Sequence, residues 1–175
     1  VVRAGWRGRI EAGLKAGVGA FALALLIRAA LVEAYWIPSG SMEPTLRPGD
    51  RIVAEKVVRW FHSPRPGDIV VFAPPAAAAA GTPALVKRVV AGPGQVVAIE
   101  RGRVLVDGRP VAEPYVAEAP AYDLPSLRVP EGHLFVLGDN RNRSLDSHVW
   151  GFVPVDNVIG RAVFRYWPVD RIGGL

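Results

Sequence analysis

Two hydroxyls flank one glycine in "IPSGSMEPTLRPGD", residues 37–50. A serine hydroxyl is a weak nucleophile, and it does acyl-transfer chemistry only beside a base that takes its proton. Ser-Gly-Ser alone is also ordinary turn composition. The familiar local spacings do not supply the base. Around Ser41 the pattern G-x-S-x-G fails, because Ser39 and Glu43 stand where glycines belong. The pattern S-x-x-K fails as well, because Pro44 occupies the lysine position. A base for Ser41 has to come from elsewhere in the chain.

The chain has three histidines, His62, His133 and His148. Ser144, Asp146 and His148 alternate as S-x-D-x-H, which superficially suggests a triad. On a strand, residues two apart share a face but stand roughly 6.6–6.8 Å from one another. Triad contacts are roughly 2.6–3.2 Å, so a contiguous strand cannot make them all. His62 and His133 have no distinguishing context and read as surface or capping residues.

The lysines are Lys15, Lys56 and Lys87. Lys87 lies in "PALVKRVVAG", where a strand would put Leu85, Lys87 and Val89 on one face. One reading is a solvated edge lysine that blocks strand addition. The other is an amine desolvated among aliphatic side chains. Burial disfavours the charged ammonium and lowers its pKa, and a neutral amine can accept a proton from a serine hydroxyl. Both readings stand on strand context alone.

These residues need a scaffold, and composition bounds it. The 175 residues are 50% hydrophobic and 21% charged, enough for a folded core. With no cysteine, disulfides, thiolate zinc sites and cysteine nucleophiles are excluded. The net charge of +5 comes from scattered arginines without a nucleic-acid motif, so no nucleic acid is expected as a partner.

Residues 1–11 are basic and read as a cytoplasmic N-terminus. Residues 12–34 then read as a transmembrane anchor, although the charge-free run from Ala16 to Ile27 is shorter than the roughly 20 residues of a full span. Lys15 and Arg28 would snorkel to the two interfaces, with Tyr35 and Trp36 in an aromatic belt. A buried helix of a soluble protein and a cleaved signal peptide are the alternatives, the latter lacking a small-x-small cleavage site. The N-terminal arginines favour a cytoplasmic N-terminus, with residues 35–175 outside the inner (cytoplasmic) membrane. That remainder reads as short β-rich runs with glycine turns, without strand–helix alternation. The expected fold is mainly β, an antiparallel sheet domain after one N-terminal helix. The alanine-rich stretch 73–84 reads as a passive surface loop. Gly40 and Gly138 read as turns or as points of close backbone approach.

Three stretches in order, "PSGSMEPTL", "LVKRVVAGPGQ" and "GDNRNRSLDSHVWGFVP", follow the apolar N-terminal segment. Together they resemble bacterial type I signal peptidase, a membrane-anchored Ser/Lys endopeptidase that cuts signal peptides from exported preproteins. The resemblance covers about residues 20–167. It implies Ser41 as nucleophile and Lys87 as general base. It implies an oxyanion hole from the Ser39 hydroxyl and the Ser41 N–H, and a Ser144 hydroxyl that bonds and aims the Lys87 amine. Asp139, Asp146 and His148 would support the site. His148 stands where many relatives carry arginine, which weakens the expected pair with Asp146 when histidine is neutral. Asn142–Arg143 replaces a pair that is often Asp-Asn or Asn-Asn, a change expected on the surface.

By position, Tyr35, Ile37, Leu46, Leu85 and Val86 would line shallow pockets for small residues at −1 and −3. The resemblance implies no metal and no cofactor. Its partners would be signal peptides and the lipid bilayer, and a monomer is expected. Two other classes fit the same strands. A non-enzymatic anchored β-module binding lipid or a partner protein would not need both Ser41 and Lys87. A soluble self-cleaving repressor-type Ser/Lys protease would carry a DNA-binding domain in place of the apolar N-terminus.

Overall fold

The computed structural model describes residues 3–57, 63–78 and 81–175. Its contacts divide the chain into two units, Val1–Val32 and Glu33–Leu175. The first is a helix, α1, Arg3–Leu31, of 29 residues. At 1.5 Å per residue it is roughly 43 Å long. No helix among the described residues is long and apolar enough to cross a membrane. The cause lies in the sequence of α1. Its charge-free centre is rich in alanine and glycine, and Lys15 and Arg28 bracket it. The helix also departs from the expected anchor at both ends. It begins well before residue 12, and Val32–Trp36 is a strand, β1. Tyr35 and Trp36 therefore lie on an edge strand of the sheet. The β-branched and aromatic residues of "VEAYW" are those a strand favours.

The second unit is antiparallel β structure, as expected. Its further strands are β2 (Arg51–Glu55), β3 (Ile69–Phe72), β4 (Leu85–Ala91), β5 (Val96–Glu100), β6 (Arg103–Val106), β7 (Arg109–Pro110) and β8 (Leu124–Arg128). They continue with β9 (His133–Leu137), β10 (Val153–Pro154), β11 (Val158–Trp167) and β12 (Gly173–Gly174). A short helix, α2, Ser147–Trp150, follows β9. The larger sheet runs β1-β2-β11-β3-β4-β9-β10, with β12 also on β11. The smaller runs β7-β6-β5-β8.

The strands that carry the site are covered on both faces. In β3, Ile69 and Val71 enter one core cluster, and Val70 and Phe72 enter another. In β9, Leu134 and Val136 pack with Val70 and Phe72, and Phe135 and Leu137 pack under the smaller sheet with Val97 and Ile99. Strands buried on both faces read as continuous apolar runs, which explains "IVVF" and "HLFVL". Phe72 and Phe135 are fully buried, each worth about 1.5–3 kcal/mol of transfer free energy. This rigid centre holds β4 in register, with Lys87 opposite Val70 of β3 and Arg88 opposite Leu137 of β9.

Candidate active site

Ser41 sits in a short 3-10 turn, Gly40–Met42, between β1 and β2. The next side chain, Met42, is buried in the core beside Ile37 and Leu46, and it pins the turn from below. The loop is also closed upon itself. Ile37 N–H donates to the Asp50 carbonyl at 2.9 Å, and Gly49 N–H donates to the Ile37 carbonyl at 2.9 Å. From the far end of the chain, Asn140 N–H donates to the Ser41 carbonyl at 3.1 Å, and Asn140 Nδ2 donates to the Gly40 carbonyl at 3.0 Å.

Lys87 reaches this turn from β4, its Nζ 2.6 Å from Ser41 Oγ. The side chain is only 3% exposed. Burial pushes the amine down from 10.5 to about 8, against the opposing pull of the Asp146 and Asp139 carboxylates. At pH 7 an amine titrating near 8 is neutral roughly one time in ten, against roughly one in 3,000 at its ordinary value. Of the two sequence readings of Lys87, the desolvated amine is the one found. The hydroxyl of Ser39 lies on the exposed rim, 3.4 Å from Ser41 Oγ.

Ser144 departs from expectation. Its Oγ is buried and makes no hydrogen bond, so the anticipated bond to the Lys87 amine is not formed. It packs instead against Gly138. A Cβ at Gly138 would stand only 2.3 Å from Ser144 Oγ and 2.4 Å from the Ser41 carbonyl oxygen. Gly138 is thus a point of close approach, where the Ser41 turn and the Ser144 side chain share the space of a missing side chain. At Gly40 the nearest atom to an added Cβ is the Glu43 carboxylate, at 3.0 Å.

Asp139, Asp146 and His148 brace the segment around Gly138. Asp139 is fully buried and accepts from Arg88 Nε at 2.8 Å, Arg88 Nη2 at 2.7 Å and Thr45 Oγ1 at 2.6 Å. Asp146 is the N-cap of α2. It accepts from Gly138 N–H at 2.8 Å and meets His148 Nδ1 at 2.7 Å. The His148 ring stacks on Tyr122, with centroids 4.1 Å apart. The strand geometry used to reject a Ser144–Asp146–His148 triad does not apply at a helix start. Asp146 and His148 do meet there, but Ser144 joins neither. His133 Nδ1 lies 2.9 Å from the Glu131 carbonyl at the start of β9, and His62 lies outside the described residues. Asn142 and Arg143 are exposed.

Several supporting residues were not anticipated. Arg88 is held in the pair with Asp139 and stacks 3.8 Å over the Tyr115 ring. Arg141, 1% exposed, forks onto Glu113 with two 2.7 Å bonds and donates from Nε to the Gly138 carbonyl at 3.0 Å. A cation directly after Lys87, and an arginine inside the glycine-aspartate motif, were the available signals. Their carboxylate partners lie on distant segments that spacing does not reveal.

A cleft of about 600 Å³ opens beside the pair. Tyr35, Ile37, Leu85 and Val86 line it with Ser41 and Lys87. Leu46 does not. It is fully buried beneath the cleft, turned inward by the bond from its N–H to the Met42 carbonyl at 2.8 Å. Trp36, Pro38, Met42, Ala84 and Ile159 add to the apolar lining. Thr82 and Pro83 border it as well, so the end of the alanine-rich stretch forms a wall and is not a passive loop.

The family model described as "Signal peptidase, peptidase S26" matches residues 10–167. The chain is 52% identical over 160 residues to "Probable signal peptidase I-1" of a Synechocystis strain, covering 89% of this chain and 82% of that one. It is 49% identical to "Signal peptidase I" of Leptolyngbya laminosa, covering 87% and 77%. It is 47% identical to "Probable thylakoidal processing peptidase 2, chloroplastic" of Arabidopsis thaliana, covering 92% of this chain and 45% of that one. An amine and a hydroxyl in contact at an apolar cleft, on a scaffold matched along nearly its whole length, mean that this chain belongs to the signal peptidase family, peptidase S26.

Proposed function

We propose that the chain removes N-terminal signal peptides from exported preproteins, as a serine endopeptidase in which Ser41 is the nucleophile and Lys87 the general base. The observation that carries this reading is the 2.6 Å contact between Ser41 Oγ and a buried amine held near 8. The neutral amine takes the Ser41 proton as the oxygen attacks the scissile carbonyl. The tetrahedral intermediate collapses to an ester when the lysine returns that proton to the leaving amine. The amine then activates water, and hydrolysis frees Ser41. Ser39 Oγ and the Ser41 N–H stabilise the oxyanion, a donor of this kind being worth about 2.7–4 kcal/mol of barrier. For Ser144 the reading is a positioning role against Gly138, with Asp139, Asp146 and His148 keeping that segment in place. Tyr35, Ile37, Leu85 and Val86 accept the small residues at −1 and −3. Size selection of this kind is worth only about 1–3 kcal/mol per methylene.

The reading extends to location. The helix α1 serves as a single-pass anchor with Arg3, Arg7 and Arg9 in the cytoplasm and residues 35–175 outside, acting as a monomer at the bilayer surface. Its basic N-terminal end and its length of 29 residues support this. Its alanine and glycine content leaves it marginal as a span, so Lys15 and Arg28 must snorkel.

The direct test is cleavage of a precursor bearing Ala-x-Ala by the purified chain. Ser41→Ala and Lys87→Met should each reduce cleavage to background. Persistence of activity in either variant overturns the pair assignment.

A further inference from the structure

The apolar cleft is one of two depressions that meet at the pair. A second, of about 410 Å³, shares Ser39, Ser41, Leu85 and Lys87 with it and then runs the other way, past Glu43, Asn140 and Arg143. A third, of about 240 Å³, continues from those three residues to Pro44 and Glu118. A peptide bond held at Ser41 has chain on both sides. If the apolar cleft takes the signal-peptide side, which rests on the function proposed above, this polar groove takes the other product.

The charges along the groove are unequal. Asp139 lies against it but is neutralised by the two bonds from Arg88. Glu43 and Glu118 have no ion-pair partner among the described residues, and neither has Arg143. Arg88 and Arg141, by contrast, are committed to Asp139 and Glu113. Apart from Lys87, which bonds Ser41, Arg143 is the one cation without an ion pair among the described residues lining this groove, alongside two free carboxylates. It also stands at the position where this sequence departs from the pattern it resembles.

We propose that the groove binds the first residues of the mature protein, and that Arg143 sets their charge preference. Its guanidinium pairs with an acidic side chain there and offsets the repulsion from Glu43 and Glu118. Without it Glu43 and Glu118 stand unopposed at that end of the groove and favour basic segments. Exposed pairs contribute about 0.2–1 kcal/mol, so each preference is a matter of a few-fold and weakens with salt.

The test is competition between two precursors that share an Ala-x-Ala site and differ only in the three residues after it, acidic in one and lysine-bearing in the other. The full-length protein in detergent is used throughout, and the ratio of kcat/KM values is the readout. Wild type should favour the acidic precursor by about two- to fivefold at low salt. Arg143→Gln should turn that preference toward the lysine-bearing precursor, Arg143→Glu should turn it further, and high salt should flatten all three ratios. A ratio that Arg143→Glu leaves unmoved, in a variant whose melting curve matches wild type, overturns the proposal while the peptidase reading stands. Wild type cleaving neither precursor would overturn both.

Discussion

Lys87 and Arg88 are consecutive residues of one strand, both cationic in water and both buried, yet the protein treats them oppositely. Around Arg88 the fold supplies Asp139 in bidentate geometry, the Gly67 carbonyl at 2.8 Å and an aromatic face. Around Lys87 it supplies aliphatic walls and one hydroxyl, with the same carboxylates acting only from a distance. One cation is stabilised as a cation, and the other is penalised for being one. Alternation along a strand makes this possible, because adjacent side chains leave by opposite faces. A cation held in an ion pair and an amine pushed toward neutrality can therefore be neighbours without sharing an environment.

The same substitution at the two positions should act with opposite sign. Arg88→Met leaves Asp139 buried without its cation. It should cost about 3–5 kcal/mol in denaturant unfolding. An unchanged midpoint would mean that Asp139 does not depend on Arg88.

Lys87→Met removes a charge that burial disfavours. The folded value, about 8, lies below the ordinary 10.5, so between these pH values the unfolded chain binds the extra proton. Stability then rises with pH across that window, and at pH 7 the buried ammonium costs up to about 3 kcal/mol. The methionine variant should be inactive yet more stable at pH 7, by about 1–3 kcal/mol, with the rise between about 8 and 10.5 gone. A destabilised variant would mean that the contact with Ser41 outweighs desolvation.

The smallest effect per step is on rate. If the neutral amine is the base, kcat/KM should fall about tenfold for each pH unit below about 8. A profile flat to pH 6 would remove Lys87 from the role of base.

What the sequence made legible follows the same division. Residue context alone left Ser41 as an ordinary turn serine and Lys87 with two readings, and it was the resemblance of three ordered motifs that singled them out. The mainly β domain could be read from "IVVF" and "HLFVL" because burial on both faces leaves long apolar runs. Leu46 was misplaced because it lies close to Ser41 in sequence, whereas the turn after Met42 sends it beneath the cleft. Ser144 was expected on the amine, but the space left by Gly138 draws it elsewhere. The pairs Arg88–Asp139 and Arg141–Glu113 join distant segments, and pairing of that kind depends on strand register. The expected anchor bound at residue 34 falls inside β1, because "VEAYW" continues an apolar run although its β-branched and aromatic residues favour a strand.

The two bonds from Asn140 to the Gly40–Ser41 turn also bear on timing. Asn140 follows Gly40 by 100 residues. At a synthesis rate of about 5–20 residues per second, Asn140 is made roughly 5–20 s after that turn. Until it arrives, neither of those bonds to the Gly40–Ser41 turn can form. The turn that carries Ser41 therefore gains these two bonds only after the strand that carries Lys87 has been made.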